Sequence, residues 1–295
     1  MVPLVSIVVP TRNRAAFLDR LLQSFRSLRY PCWEAIVVDD GSVDRTPSLV
    51  ESFRASGLPL SYYFQGQSTV SAARNQGIEE ACGELVAFID DDCEASPQWL
   101  ARLVEAFEAN PEALGVQGKT VTDHALSTPF TRQIEQLSAG QPYRTCNVAY
   151  RRQVLLDLGG FDPRLIRGED VALSMRVLER GPIVFAPDAV VSHPPRVKEW
   201  VDRAAWKRLL ASEAHFRRAY PAYVPNRSQT LSIQKPEHVF SRWVLLPIRR
   251  YWRLHWRYFR QHPRDYLRHV PLIFKEKLAL LSLLPYILRS WRSKP

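Results

Sequence analysis

Short apolar runs alternate with stretches of helical periodicity through the first hundred residues, and this alternation restricts the fold more than any other feature. Residues 4–9 (LVSIVV) are β-rich and end at Pro10. Phe17, Leu21, Leu22, Phe25 and Leu28 then recur at helical spacing. Residues 35–38 make a second apolar run, closed by Asp39-Asp40-Gly41-Ser42, and a helix is expected over 46–55. Residues 60–64 read as a strand, 70–81 as a helix stopped by Gly83, and 85–89 as a fourth strand. Ser96-Pro97 reads as an N-cap and first helical position, opening a helix with Trp99, Leu100, Leu103, Val104 and Phe107 on its apolar face. Strands and helices in this order predict βαβ units, hence an α/β fold with a central, mostly parallel sheet flanked by helices. Such sheets bind ligands beyond the carboxyl ends of their strands. Three polar clusters fall there: Pro10-Thr11-Arg12, Asp39-Asp40 and Asp90-Asp91-Asp92.

The Asp90-Asp91-Asp92 run carries the most chemistry. Adjacent carboxylates repel, so a fold gathers them where a cation offsets the charge. At a strand end Asp90 and Asp92 share one face and Asp91 the other, because side chains alternate with period two. Two same-facing carboxylates are a hard oxygen site suited to Mg²⁺ or Mn²⁺. The plain alternative is a solvated acidic turn. Farther on the pattern weakens, with strand-like stretches at 115–121 and 144–150 and a short helix at 151–158. Glu169-Asp170 opens a helix over 171–179, where carboxylates also simply suit the helix dipole. Two strand-like pieces, 183–186 and 189–191, lead to His193.

The four cysteines (Cys32, Cys82, Cys93, Cys146) show no CxxC spacing and no histidine cluster, as for reduced thiols of a cytoplasmic protein. The chain opens almost directly on a strand, so no secretory leader is expected, and no apolar run is long enough to span a bilayer. Charge divides the chain. Residues 196–295 hold 22 Lys and Arg against 6 Asp and Glu, whereas residues 1–195 hold 18 against 24. Six of the eight tryptophans lie in the later part. Two regions are therefore expected, 1–195 and a basic, aromatic-rich helical region at 196–295.

Five segments, taken in order, resemble the family 2 glycosyltransferases: VSIVVPTRNR (5–14), VVDDGS (37–42), AARNQG (72–77), FIDDD (88–92), and GGFD (159–162) followed by GEDVALSMR (168–176). The resemblance implies a GT-A fold at 1–195 and inverting, metal-dependent transfer of a sugar from a nucleotide-sugar donor, UDP- or dTDP-linked. It places Pro10, Thr11 and Arg12 at the base and ribose. Asp40 would accept from the base and Asp39 would support that loop. Arg74 would approach the diphosphate. Asp90 would lie near the ribose and metal, Asp92 would bind the metal, and Asp91 would serve the loop or the metal shell. Asp170 is implied as the general base, with Glu169 orienting the site or binding acceptor hydroxyls. His193 is either a further metal ligand or a loop histidine. Arg144 and Asn147 are candidates for the acceptor edge, and Trp99 for core packing. Acceptors of this class are cell-surface glycans, lipid-linked saccharides or small metabolites.

Three other functions are disfavoured. A sugar nucleotidyltransferase needs a Gly-rich N-terminal phosphate loop, and no glycine precedes Gly41. A membrane-bound scaffold with a degenerate transferase domain conflicts with the presence of Asp92, Arg74 and Asp170. A dehydrogenase is disfavoured because the first strand–helix turn lacks GxGxxG. Residues 242–269 interleave arginines with aromatics, and 278–288 are Leu-rich. This composition suits a helix lying in an anionic membrane surface on the cytoplasmic side, or packing on the catalytic domain; nucleic acid is not expected as a partner.

Overall fold

The computed structural model describes residues 2–128, 130–140, 142–197, 203–223, 256, 258–264 and 266–267. The expected alternation is present: β1 (Val5–Thr11), α1 (Ala15–Phe25), β2 (Trp33–Asp39), α2 (Thr46–Ala55), β3 (Leu60–Phe64), α3 (Val70–Glu80) and β4 (Leu85–Phe88). There follow β5 (Glu94–Ala95), α4 (Trp99–Ala109), β6 (Gly115–Val121), β7 (Thr131–Arg132), β8 (Val148–Arg151), α5 (Arg152–Asp157), α6 (Glu169–Leu178), β9 (Ile183–Ser192), β10 (Arg196–Val197) and α7 (Arg203–Ala219).

Eight strands form one sheet in the order β3-β2-β1-β4-β8-β6-β9-β5. Strands β1 to β4 pair in parallel, as do β6 and β9, while β8 runs antiparallel to both β4 and β6. Every residue of β1 is buried, because helices cover both faces of the sheet. Val5, Ile7 and Val9 meet Leu18, Leu22, Val50 and Trp99 on one side. Val8, Ile36 and Phe88 meet Ala73, Ile78, Phe161 and Leu173 on the other. Each fully buried Leu, Phe or Val contributes about 1.5–3 kcal/mol.

Two contacts position the site. A Cβ on Gly77 would lie 2.4 Å from Val8 Cγ1, so glycine lets α3 press against β1. Asn75 donates from Nδ2 to the Phe161 carbonyl at 2.9 Å and accepts from the Phe161 amide at 2.7 Å. Gly160 in that loop has φ +67, a left-handed backbone that favours glycine. This docking carries the segment leading to α6 onto the same end of the sheet as Arg74.

Several expectations need correction. Strand β4 stops at Phe88, one residue early, so the alternation invoked for Asp90 to Asp92 does not extend through them. Asp91 consequently does not face away from Asp92; one arginine holds both. Helix α4 begins at Trp99 rather than at Pro97, with the Ser96 carbonyl accepting from the Trp99 amide. Residues 183–192 form one strand, not two; its pairing with β6 shifts register between Gly118 and Lys119. Asn147 lies in the core rather than at an acceptor edge. It accepts from Trp99 Nε1 at 2.9 Å and donates to the carbonyls of Lys119 and Ala189.

The described residues fall into two units, 1–126 with 133–195, and 127–132 with 196–295. In the second, β7 pairs antiparallel with β10, and the Phe130 ring packs against Tyr258 and Tyr266. The Leu-rich stretch at 278–288 lies outside the described residues.

Candidate active site

The carboxyl ends of β1, β2 and β4 converge. The Asp40 amide donates to the Thr11 carbonyl at 2.9 Å, and Thr11 Oγ1 donates to Asp91 Oδ2 at 2.8 Å. Pro10 sits in β1 opposite Val38. Asp39 is fully buried and accepts from the Ser42 amide at 2.8 Å and from the Tyr62 hydroxyl at 2.7 Å, so its oxygens tie the loop to β3. Asp40 Oδ1 accepts from Gln65 Nε2 and the Ser68 amide, while Oδ2 lies 3.8 Å from Arg12 Nη1.

The triple aspartate is divided between two guanidinium groups. Arg14 donates through Nη1 to Asp91 at 2.6 Å and through Nη2 to Asp92 Oδ2 at 2.7 Å. Arg74, 4% exposed, donates to Asp90 at 3.2 Å and to Glu169 Oε1 at 3.0 Å. Burial pushes the Asp91 carboxyl up to about 7, with Arg14 pulling it down and Asp92 adding to the rise. Burial disfavours the Arg74 charge, but Asp90 and Glu169 outweigh it and hold the group protonated. Arg14 was missed as a site residue because its role depends on a turn. Asn13 has φ +51, which Asn tolerates, and its side chain accepts from the Val43 amide. The only sequence signal was its place in the Thr-Arg-Asn-Arg run.

Glu169 and Asp170 form the first turn of α6, after Gly168 in a left-handed conformation. Asp170 Oδ1 accepts from the Val171 amide at 2.8 Å. Burial raises the carboxyls of both residues. For Glu169 the charge of Asp170 adds to the rise and Arg74 opposes it. For Asp170 the rise is opposed by the Val171 amide and by the charges of Arg74 and Arg144, and Asp90 adds to it. Asp90 and the two α6 carboxylates thus belong to one electrostatic cluster around Arg74.

His193 is fully buried after β9. Its Nδ1 lies 2.7 Å from the Pro194 carbonyl, which can only accept, so the proton sits on Nδ1. Its Nε2 lies 3.4 Å from Asp92 Oδ1 and has no hydrogen-bond partner. Nε2 of His193 and Oδ1 of Asp92 face each other in a dry site, and both are atom types that can ligate a cation. Cys93 joins this pair, a grouping that the cysteine spacing in the sequence does not signal. Asp90 is not part of that group; its contact is with Arg74.

The sheet order and the helices on both its faces are those of an α/β nucleotide-binding architecture, with the carboxylates at its rim. Residues 6–158 match the family model described as "Glycosyl transferase family 2". The chain is 32% identical over 206 residues to glycosyltransferase AglE of Haloferax volcanii, covering 66% of this chain and 68% of that protein. It is 31% identical over 221 residues to the pre-mycofactocin glycosyltransferase of Mycobacterium tuberculosis, covering 68% of this chain but 45% of that one. Two solved structures share the fold. One is S. aureus TarS 1-349 in complex with UDP-GlcNAc (TM-score 0.60, 21% identity, 84% of this chain and 78% of that one). The other is the mannosyltransferase PcManGT from Pyrobaculum calidifontis in complex with GDP-Man and Mn²⁺ (TM-score 0.58, 21% identity, 99% and 80%). The chain belongs to glycosyl transferase family 2 and is a transferase enzyme.

Proposed function

We propose that the chain transfers a sugar, with inversion, from a UDP- or dTDP-sugar to an acceptor hydroxyl, with dependence on a divalent cation. The observation that carries this reading is the Arg74 bridge between Asp90 and Glu169, which sets the donor-side acids beside the candidate base Asp170. Asp170 takes the proton of the acceptor hydroxyl. The freed oxygen attacks the anomeric carbon as the bond to the diphosphate oxygen breaks, and the nucleoside diphosphate departs on the opposite face. Burial makes Asp170 a stronger base than an exposed aspartate. Glu169, tied to Arg74, orients the acceptor side.

Asp92 and His193, with Asp90 on the donor side, would hold Mg²⁺ or Mn²⁺, and the partnerless Nε2 of His193 supports that assignment. Such an ion, when bound, supplies positive charge to the departing diphosphate. Pro10, Thr11 and Arg12 would line the base and ribose pocket, Asp40 would accept from the base, and Asp39 would support that loop. The structural neighbours solved with UDP-GlcNAc and with GDP-Man support a nucleotide-sugar donor. Calorimetric titration with UDP, with and without Mn²⁺, followed by a panel of UDP-, dTDP- and GDP-sugars scored for slow hydrolysis, tests the assignment. Absence of metal-dependent nucleotide binding would overturn it.

The acceptor in this reading is a saccharide hydroxyl, on a glycan or lipid carrier. The charge excess of residues 196–295 suits contact with an anionic leaflet on the cytoplasmic side, roughly 1 kcal/mol per basic residue near the surface. No helix among the described residues is long and apolar enough to cross a membrane. Flotation with anionic liposomes that is unchanged by deleting 240–295 would remove the membrane part.

A further inference from the structure

We propose that Cys93 converts the Asp92–His193 pair into a buried three-donor site that binds thiophilic divalent ions such as Zn²⁺ and Cd²⁺ through a metal–thiolate bond. The inference deepens the metal dependence proposed above and rests on that pair facing a cation. The carboxylate oxygen of Asp92, Sγ of Cys93 and a ring nitrogen of His193 all lie within 4.8 Å of one another, and all three residues are buried. A tetrahedral ion with bonds of about 2.0–2.3 Å holds its donors roughly 3.3–3.8 Å apart. Asp92 Oδ1 and His193 Nε2 are already 3.4 Å apart.

The imidazole is aimed into the site. Its Nδ1–H is fixed by the Pro194 carbonyl at 2.7 Å, the arrangement by which metal-bound histidines are oriented. Its Nε2 is left without a hydrogen-bond partner. The Cys93 amide donates to the Asp90 carbonyl at 3.1 Å and so sets the turn that carries the thiol. A thiolate, an imidazole and a carboxylate together are a donor set for zinc-like ions, whereas Mg²⁺ and Mn²⁺ prefer oxygen. On coordination the S–H bond is replaced by the metal–sulfur bond and the proton leaves to solvent, with no change of oxidation state.

The test uses the full chain carrying Cys32→Ser and Cys82→Ser, which leaves the two buried thiols. Titration with CdCl₂ in the absence of nucleotide is followed by the ultraviolet thiolate-to-cadmium charge-transfer band. One equivalent should produce the band. Adding Cys93→Ser should abolish it and weaken Cd²⁺ binding by about ten-fold or more, while Cys146→Ser should leave it in place. Thermal melts establish which variants fold; where Cys93→Ser does not, a band that persists in Cys146→Ser assigns it to Cys93, and one lost there overturns the proposal. Cd²⁺ binding without the band, or a band that survives Cys93→Ser, overturns the proposal. Mn²⁺ binding with UDP, measured on the same proteins, separates the two readings. Asp92-dependent Mn²⁺ binding with no cadmium band removes the role of Cys93 and spares the metal dependence; the band without Mn²⁺ binding does the reverse.

Discussion

Arg74 donates through Nη1 to Glu169 Oε1 at 3.0 Å, joining residues 95 positions apart in the chain. The same guanidinium reaches Asp90 through Nη2 at 3.2 Å. A helix placed after β3 thereby clamps the end of β4 to the start of α6. Arg74→Ala removes one cation from two carboxylates in a mostly buried cluster. Breaking such a pair from one side costs about 3–5 kcal/mol, read by denaturant unfolding. A loss of under about 1 kcal/mol, the range of exposed pairs, would mean the bridge is not built as described. Arg74→Lys keeps charge but not the fork geometry, and transfer should fall by about a hundred-fold.

Asp170→Asn keeps the shape of the first turn of α6 and removes the base. The expected loss is about 10²–10⁴ in kcat, with UDP affinity unchanged by calorimetry. Equal loss of nucleotide binding would instead assign Asp170 to holding the fold of the site.

The same carboxyl sets the acid limb of the pH profile. Burial raises it above its ordinary value, with Arg74, Arg144 and the Val171 amide opposing and Asp90 assisting. The ionised form is the base, so activity is lost as pH falls through the raised value. The acid limb of kcat/KM should stand above the usual aspartate value of about 4. A limb at or below that value would contradict the buried, Asp90-coupled setting of the base.

His193→Ala should weaken Mn²⁺ binding by about ten-fold or more, since one of few ligands is lost, and chelation should remove transfer in the parent. Electron paramagnetic resonance of free Mn²⁺ in the presence of UDP measures this. Unaltered Mn²⁺ affinity would leave His193 as a packing residue only.

Asp44 is a structural counterpart outside the chemistry. Its carboxylate accepts from the Ala15 amide at 3.0 Å and from the Thr46 amide at 3.0 Å, and so serves the starts of both α1 and α2. Asp44→Ala should cost about 1 kcal/mol, seen as a lower Tm with transfer retained. Burial pushes this carboxyl up, but the bonds from the Thr46 hydroxyl and from the Ala15 and Thr46 amides outweigh it and hold the value below 3.8. Its contribution is therefore full above the unfolded value and disappears as pH falls through the folded one. A Tm difference that persists unchanged well below that range would show that the variant acts through something other than these bonds.

Much of the first half was legible because local pattern and global fold agree there. Helix α2 and strand β3 fall on the residues the sequence pattern predicts. Residues 144–151 were harder. Only Val148–Arg151 pairs in the sheet, and the segment before it is held by contacts such as those of Asn147, whose partners lie far along the chain. A buried asparagine pinning a tryptophan has no periodic signature. Cys93 was passed over for the same reason, its neighbour His193 being 100 residues away in sequence.

The amino-acid order on its own settled the layered α/β architecture, the gathering of three polar strand ends on one rim, and membership in the family, because those follow from hydrophobic period and short motifs. Folding alone decided how the charges are shared out. Arg14 takes Asp91 and Asp92, Arg74 takes Asp90 and Glu169, and His193 turns a bare nitrogen toward Asp92. Ion pairing acts over a few ångströms of space, and which side chains come that close depends on the crossing of β1, α3, α6 and β9, which no local stretch of sequence contains.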